Sequence, residues 1–197
     1  MVVGLDPLRI LLFGSGPLIG YGVHTRKDAV DGPLADLLSQ ATRRGVIVES
    51  RVRLGLPIAD AVDSLGGAGT ATFAVAIWAP RFGEELLFAD PERCRSSIRA
   101  MLEEFRARSP IPLIVCHLPD PLGLDWRTIL RRPRVAAFNR VLSEEAASVR
   151  GVTSVAIGTY RPAEPSSTRA PWHRGFAEHL LPAVLEMIAP GTPTAQP

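Results

Sequence analysis

The segment Leu11–Val23 reads LLFGSGPLIGYGV. Its apolar run breaks at Gly14, Ser15, Gly16 and Pro17 and resumes through Gly20, Tyr21 and Gly22, the pattern of a buried strand delivered into an exposed loop. Such loops carry chemistry more often than the scaffold beneath them. A serine between two glycines raises a direct question: is Ser15 a nucleophile, or only a turn residue?

Working outward, Arg9 to Phe13 predicts a buried first strand. Residues 32–44 place Leu34, Leu37, Leu38 and Ala41 at helical spacing, with Gly45 as the stop. A second strand follows at Val46 to Ser50, then the loop RVRLGLP and a short amphipathic helix, IADAVDSL. The run from Thr72 to Trp78 is β-rich and predicts a third strand. Pro91 opens a helix through Arg108 with Ile98, Met101, Leu102 and Phe105 on one face. PLIVCHL predicts a fourth strand stopped by Pro119 and Pro121, Val135 to Val149 a helix, VTSVAIG a fifth strand, and Phe176 to Ile188 a last helix. Strands alternating with helices imply parallel crossovers. The expected fold is α/β: a three-layer α/β/α sandwich with a five-stranded, mostly parallel sheet. Residues 1–190 are expected to form one domain, and 191–197 a disordered tail.

Composition limits the function classes. The 197 residues carry a formal charge of +2 from 22 basic and 20 acidic side chains, so no long-range field selects nucleic acid or an acidic membrane. Cys94 and Cys116 suggest neither a disulfide framework nor a metal set. The four histidines show no ligand spacing, and no metal or cofactor is expected. The first residues lack the basic and apolar regions of a secretion signal, and no apolar run is long enough to span a membrane. The expectation is a soluble cytoplasmic protein with no nucleic-acid or membrane partner.

The order of motifs resembles the SGNH, or GDSL-type, hydrolases, which are small flavodoxin-like esterases and acyltransferases. The resemblance runs from Arg9 to about Ile188. In that family the first strand ends in Gly-Asp-Ser-Leu, with Gly-Tyr-Gly a few residues later; FGSGPLIGYGV keeps the length and the tail. Counting back from Gly20 and Tyr21 puts Gly16 in the nucleophile's seat and Ser15 where the family has aspartate. A glycine loop after the second strand is matched by Gly55 and Asp60. The Gly-x-Asn-Asp turn reads WAPRFGEE here, with Pro80 or Arg81 at the oxyanion-hole asparagine. The final Asp-x-x-His reads APWH, which keeps His173 and replaces the aspartate by Ala170.

Serine acyl transfer needs a base within reach of the hydroxyl, a group that orients the base, and donors for the oxyanion. A proline offers no N–H. Ser15 is therefore a displaced nucleophile or a turn residue. Arg81 is a five-donor clamp for a carboxylate, phosphate or oxyanion, or a solvated arginine. His173 is the base, or a histidine stacked on Trp172. His117, at a carboxyl strand end, is a ligand-facing or a structural residue. Gly16 and Gly55 complete the expected oxyanion and ligand surface. The implied activity is that of an esterase, deacylase or acyltransferase with degenerate motifs, acting on a small-molecule or acyl substrate. Alternatives are a non-hydrolytic enzyme of specialised metabolism using Arg81, His173 and His117, or an inactive binding or scaffold protein.

Overall fold

A computed structural model of the chain describes residues 6–15, 18, 20, 23–53, 55–65, 70–80, 90–121, 126–160 and 170–189. Its five-stranded parallel sheet is built from β1 (Leu8–Gly14), β2 (Val46–Val52), β3 (Val75–Ala79), β4 (Leu113–Cys116) and β6 (Val152–Val155), in the order β2-β1-β3-β4-β6. Two short segments at the carboxyl ends, β5 (Asp120–Pro121) and β7 (Thr159–Tyr160), pair in parallel. Among the described residues, four helices cover the sheet: α1 (Asp31–Thr42), α2 (Pro91–Arg108), α3 (Trp126–Ser148) and α4 (Ala170–Ile188).

Alternation along the strands sorts the core into two layers. Leu11 and Phe13 of β1, Trp78 of β3 and Val115 of β4 face α2 and α3, meeting Phe105 and Phe138. Phe13 stacks on Phe105 with centroids 5.6 Å apart. Ile10, Leu12, Ile77 and Ile114 face the other way, onto α1 and α4, meeting Leu34, Leu38, Phe176 and Leu180. Both faces of the central strands are buried, which explains why β3 and β4 read as unbroken apolar runs.

The expected architecture is the observed one, and the differences lie at boundaries. α3 starts nine residues before the expected Val135, carrying Pro133 inside it at an exposed position. α4 starts at Ala170 rather than Phe176. Pro171 fits there because first-turn N–H groups have no intrahelical partner to lose. The stop of α1 is Arg43, in the left-handed region at φ 54°, and not Gly45. IADAVDSL forms only a short 3-10 turn, Ala61–Leu65. The expected disordered tail, 191–197, lies outside the described residues.

Helices α2 and α3 are joined by charge as well as by apolar contact. Glu145, 2% exposed at its side chain, accepts from Arg99 Nε at 2.8 Å and Arg95 Nη1 at 2.7 Å, and Arg95 also reaches Glu92 and Glu144. The Arg99 hydrogen bond, with Arg95 beside it, holds the Glu145 carboxyl below its ordinary range against the opposing effect of burial. A depressed carboxyl pKa stabilises the fold above the unfolded value and is lost as pH falls through the folded value. Glu145→Gln is therefore expected to cost about 2 kcal/mol at neutral pH. In urea melts across pH, the gap to the parent chain should close below about pH 4.

Candidate active site at the carboxyl edge

In open parallel sheets ligands bind beyond the carboxyl ends of the strands, and most of the candidate residues stand there. β1 ends at Gly14, whose φ of +102° belongs to glycine. A Cβ at this position would sit 2.4 Å from the Ala79 carbonyl oxygen and 2.7 Å from the Trp78 ring. The chain therefore turns against β3 with no room for a side chain. Ser15 follows immediately, 2% exposed, its N–H donating to the Ala79 oxygen at 2.9 Å. The hydrogen bond prolongs the β1–β3 ladder by one residue and fixes where the loop begins. Gly16, the expected nucleophile seat, and Arg81 lie outside the described residues.

Gly55 occupies the turn after β2 with φ of +74°, a left-handed position that explains a glycine at this family landmark. Gly14, one residue before Ser15, accepts from Arg53 N–H at 2.9 Å, which ties the end of β2 to the end of β1. The loops after the first two strands are thereby coupled through backbone.

His173 is the fourth residue of α4 and is fully buried. Its ring meets the Trp172 ring edge-on, with centroids 4.9 Å apart. Phe176, three residues on, belongs to the same apolar layer as Ala79. His173 thus borders the α1/α4 side of the sheet. His117 stands on the other side. It continues the Leu113–Val115 alternation, and its Nε2 shares a 2.9 Å hydrogen bond with Ser143 Oγ of α3, which also accepts from Ser154 Oγ at 3.3 Å. Burial lowers the His117 pKa, which favours the neutral ring. Its hydrogen bond ties β4 and β6 to α3, across the sheet from the helix that carries His173.

One residue that the sequence reading passed over holds the loop after β4. Asn139, on α3, accepts from the Leu118 N–H at 2.8 Å and donates to the Leu118 carbonyl at 2.9 Å. A lone asparagine amid a charged helix gives no signal of this from its spacing. Cys116 is fully buried and its thiol is pushed up by desolvation, as expected of an unreactive core cysteine. Among the described residues no group of His, Cys, Asp and Glu could hold a metal ion, and no helix is long and apolar enough to cross a membrane.

Neither the protein-family models nor the curated proteins match the sequence. Solved structures do. The lipase Lip_vut3 from a goat rumen metagenome superposes with a TM-score of 0.67 over 89% of this chain and 97% of its own, at 15% identity. A lipolytic G-D-S-L protein from Veillonella parvula gives 0.66 at 13% identity, again over 89% and 97%. The chain has the SGNH-hydrolase fold. Phospholipase A1 from Streptomyces albidoflavus extends the match to 93% of this chain and 99% of its own, with a TM-score of 0.64 at 12% identity. The SGNH fold accounts for the topological position of the loop after β1 and the start of α4, both at the carboxyl end of the sheet. At these identities the likeness concerns the scaffold, and the chemistry depends on the side chains that occupy it.

Proposed function

We propose that this chain is a divergent SGNH-type protein of the esterase, deacylase and acyltransferase class that binds an acyl-type small molecule at the carboxyl end of its sheet and has lost serine acyl transfer. One observation carries this reading: Ser15, the only serine of the loop, is 2% exposed and bonded into the β1–β3 ladder by its own N–H, one residue before the seat the family gives its nucleophile. Ala170 begins α4 where the family has its orienting aspartate. Losing a nucleophile costs about as much as losing a whole triad, roughly 10⁶-fold in turnover. In this reading Gly16, Gly55 and Arg81 survive as the ligand-facing surface, Arg81 offering a permanent charge to a carbonyl or anionic group.

A second reading has Ser15 and His173 working as a reduced hydrolytic pair. It is favoured by the burial of both side chains, Ser15 at 2% and His173 at 0% exposure. A fluorophosphonate probe separates the two. The proposal expects no labelling of Ser15 and p-nitrophenyl ester turnover equal in the parent chain and Ser15→Ala. Labelling that maps to Ser15 and vanishes in Ser15→Ala and His173→Ala would establish the hydrolytic pair instead.

A further inference from the structure

The two edges of the sheet differ. At one, β6 is four residues long; at the other, β2 runs for seven, Val46–Val52, bonded to β1 along its whole length. Among the described residues no strand pairs with the outer side of β2. The bonds already made fix what that side presents. Leu8 N–H donates to the Gly45 carbonyl at 2.8 Å and Arg53 N–H to the Gly14 carbonyl at 2.9 Å. Odd-numbered residues therefore turn their backbone groups toward β1, and Val46, Val48, Ser50 and Val52 turn theirs outward. The strand reads VIVESRV, without the proline, lysine or bulge by which exposed edges are usually protected. Ile47, at 45%, is the exposed large hydrophobic residue among the described ones.

We propose that β2 is the contact surface between two copies of this chain, joined antiparallel about a two-fold axis at Ser50. The register follows from charge. Only outward-pointing, even-numbered residues can exchange bonds, which leaves few axes. An axis at Glu49 sets that carboxylate opposite its own copy, and an axis at Arg51 does the same for two guanidinium groups. An axis at Val48 sets Ile47 opposite Glu49 and leaves Arg51 beside Gly45. The axis at Ser50 sets Glu49 of each copy opposite Arg51 of the other, and Val48 opposite Val52. Three outward pairs then exchange about six backbone hydrogen bonds. The Arg9–Glu49–Arg51 row, held at 3.2 Å and 2.7 Å within one chain, continues into the second copy as alternating charge. Charged side chains that would repel a foreign strand thus select another β2.

Analytical ultracentrifugation of the full chain tests the pairing, and the expected parent species at micromolar concentration is a dimer. Val48→Pro removes an outward N–H, which an edge strand tolerates, and alters a side chain packed against the α1/α4 layer; it should sediment as a monomer with an unchanged circular dichroism spectrum. Glu49→Arg should weaken association by about tenfold, and Glu49→Arg combined with Arg51→Glu should restore it. The charge series stands independently of how well the proline variant folds. A monomeric parent, a folded Val48→Pro that stays dimeric, or a double variant no tighter than the single one would each overturn the proposal.

Discussion

Gly14→Ala is expected to lower stability by about 4 kcal/mol, the sum of a strained backbone and an unrelieved overlap. The two contributions are separable. At φ of +102° any residue with a Cβ is strained before it touches a neighbour. The Cβ would then stand 2.4 Å from the Ala79 carbonyl oxygen, which is backbone in a central strand and cannot swing aside as a flexible side chain would. Trp78, 1% exposed and packed against the α2 layer, blocks the other direction. Relief requires β1 to withdraw from β3. The bonds at stake are Ser15 N–H to Ala79 and Arg53 N–H to Gly14, both 2.9 Å. A loss of that size is a large part of the roughly 5–15 kcal/mol that holds an ordinary domain together. The thermal midpoint should fall by about 10 °C, and the amides of Ser15 and Arg53 should lose exchange protection ahead of the rest of the sheet. A variant that melts with the parent chain would mean that this turn carries no strain.

The same glycine marks how far the sequence could be read. That the apolar run ends at Gly14 is visible in the letters, because an apolar strand followed by Gly-Ser-Gly has few other interpretations. That Gly14 must be glycine is not visible, because the obstruction is Trp78 and Ala79, more than sixty residues away on another strand. The parallel sheet covered on both faces was legible for the opposite reason: strands buried on both faces need continuous apolar runs, and these stand out in one sequence. Helix starts were less legible. Pro171 and Gly175 argue locally against helix, so the last helix is expected at Phe176, yet burial of His173, Phe176 and Ala177 on one face extends it to Ala170. That shift matters to the site, because it turns His173 from a loop residue into one fixed in the first turns of a helix. Glu145 reads as one more acid in the run SEEAAS, and only the fold brings it to Arg95 and Arg99.

Asn139→Ala should carry the second large effect, at a place no motif marks. The side-chain amide closes on the backbone of one residue, Leu118, with one bond at 2.8 Å and another at 2.9 Å. Leu118 is 3% exposed, so both its N–H and its carbonyl would be left inside the protein without a partner. Each such group costs about 1–3 kcal/mol, which places the expected loss near 3 kcal/mol. The consequence is also local. Leu118 lies between His117, whose N–H donates to the Val155 carbonyl at 2.8 Å, and Asp120, where β5 begins its pairing with β7. Without the amide, the chain leaving β4 keeps the sheet hydrogen bond below and, above, a two-residue pairing that is a weak unit on its own. Native-state hydrogen exchange should therefore register the variant first at Leu118, with exchange faster by about tenfold or more, while Ile114 and Val115 in β4 keep the protection set by global unfolding. Equal acceleration at all three amides would mean that Asn139 supports the whole domain and not this corner. The loop after β4 is one wall of the carboxyl-end surface, so the same variant reports on ligand binding. If that wall shapes the ligand site, an acyl ester that raises the melting temperature of the parent chain should raise that of Asn139→Ala less, even where both variants are fully folded at the start of the melt.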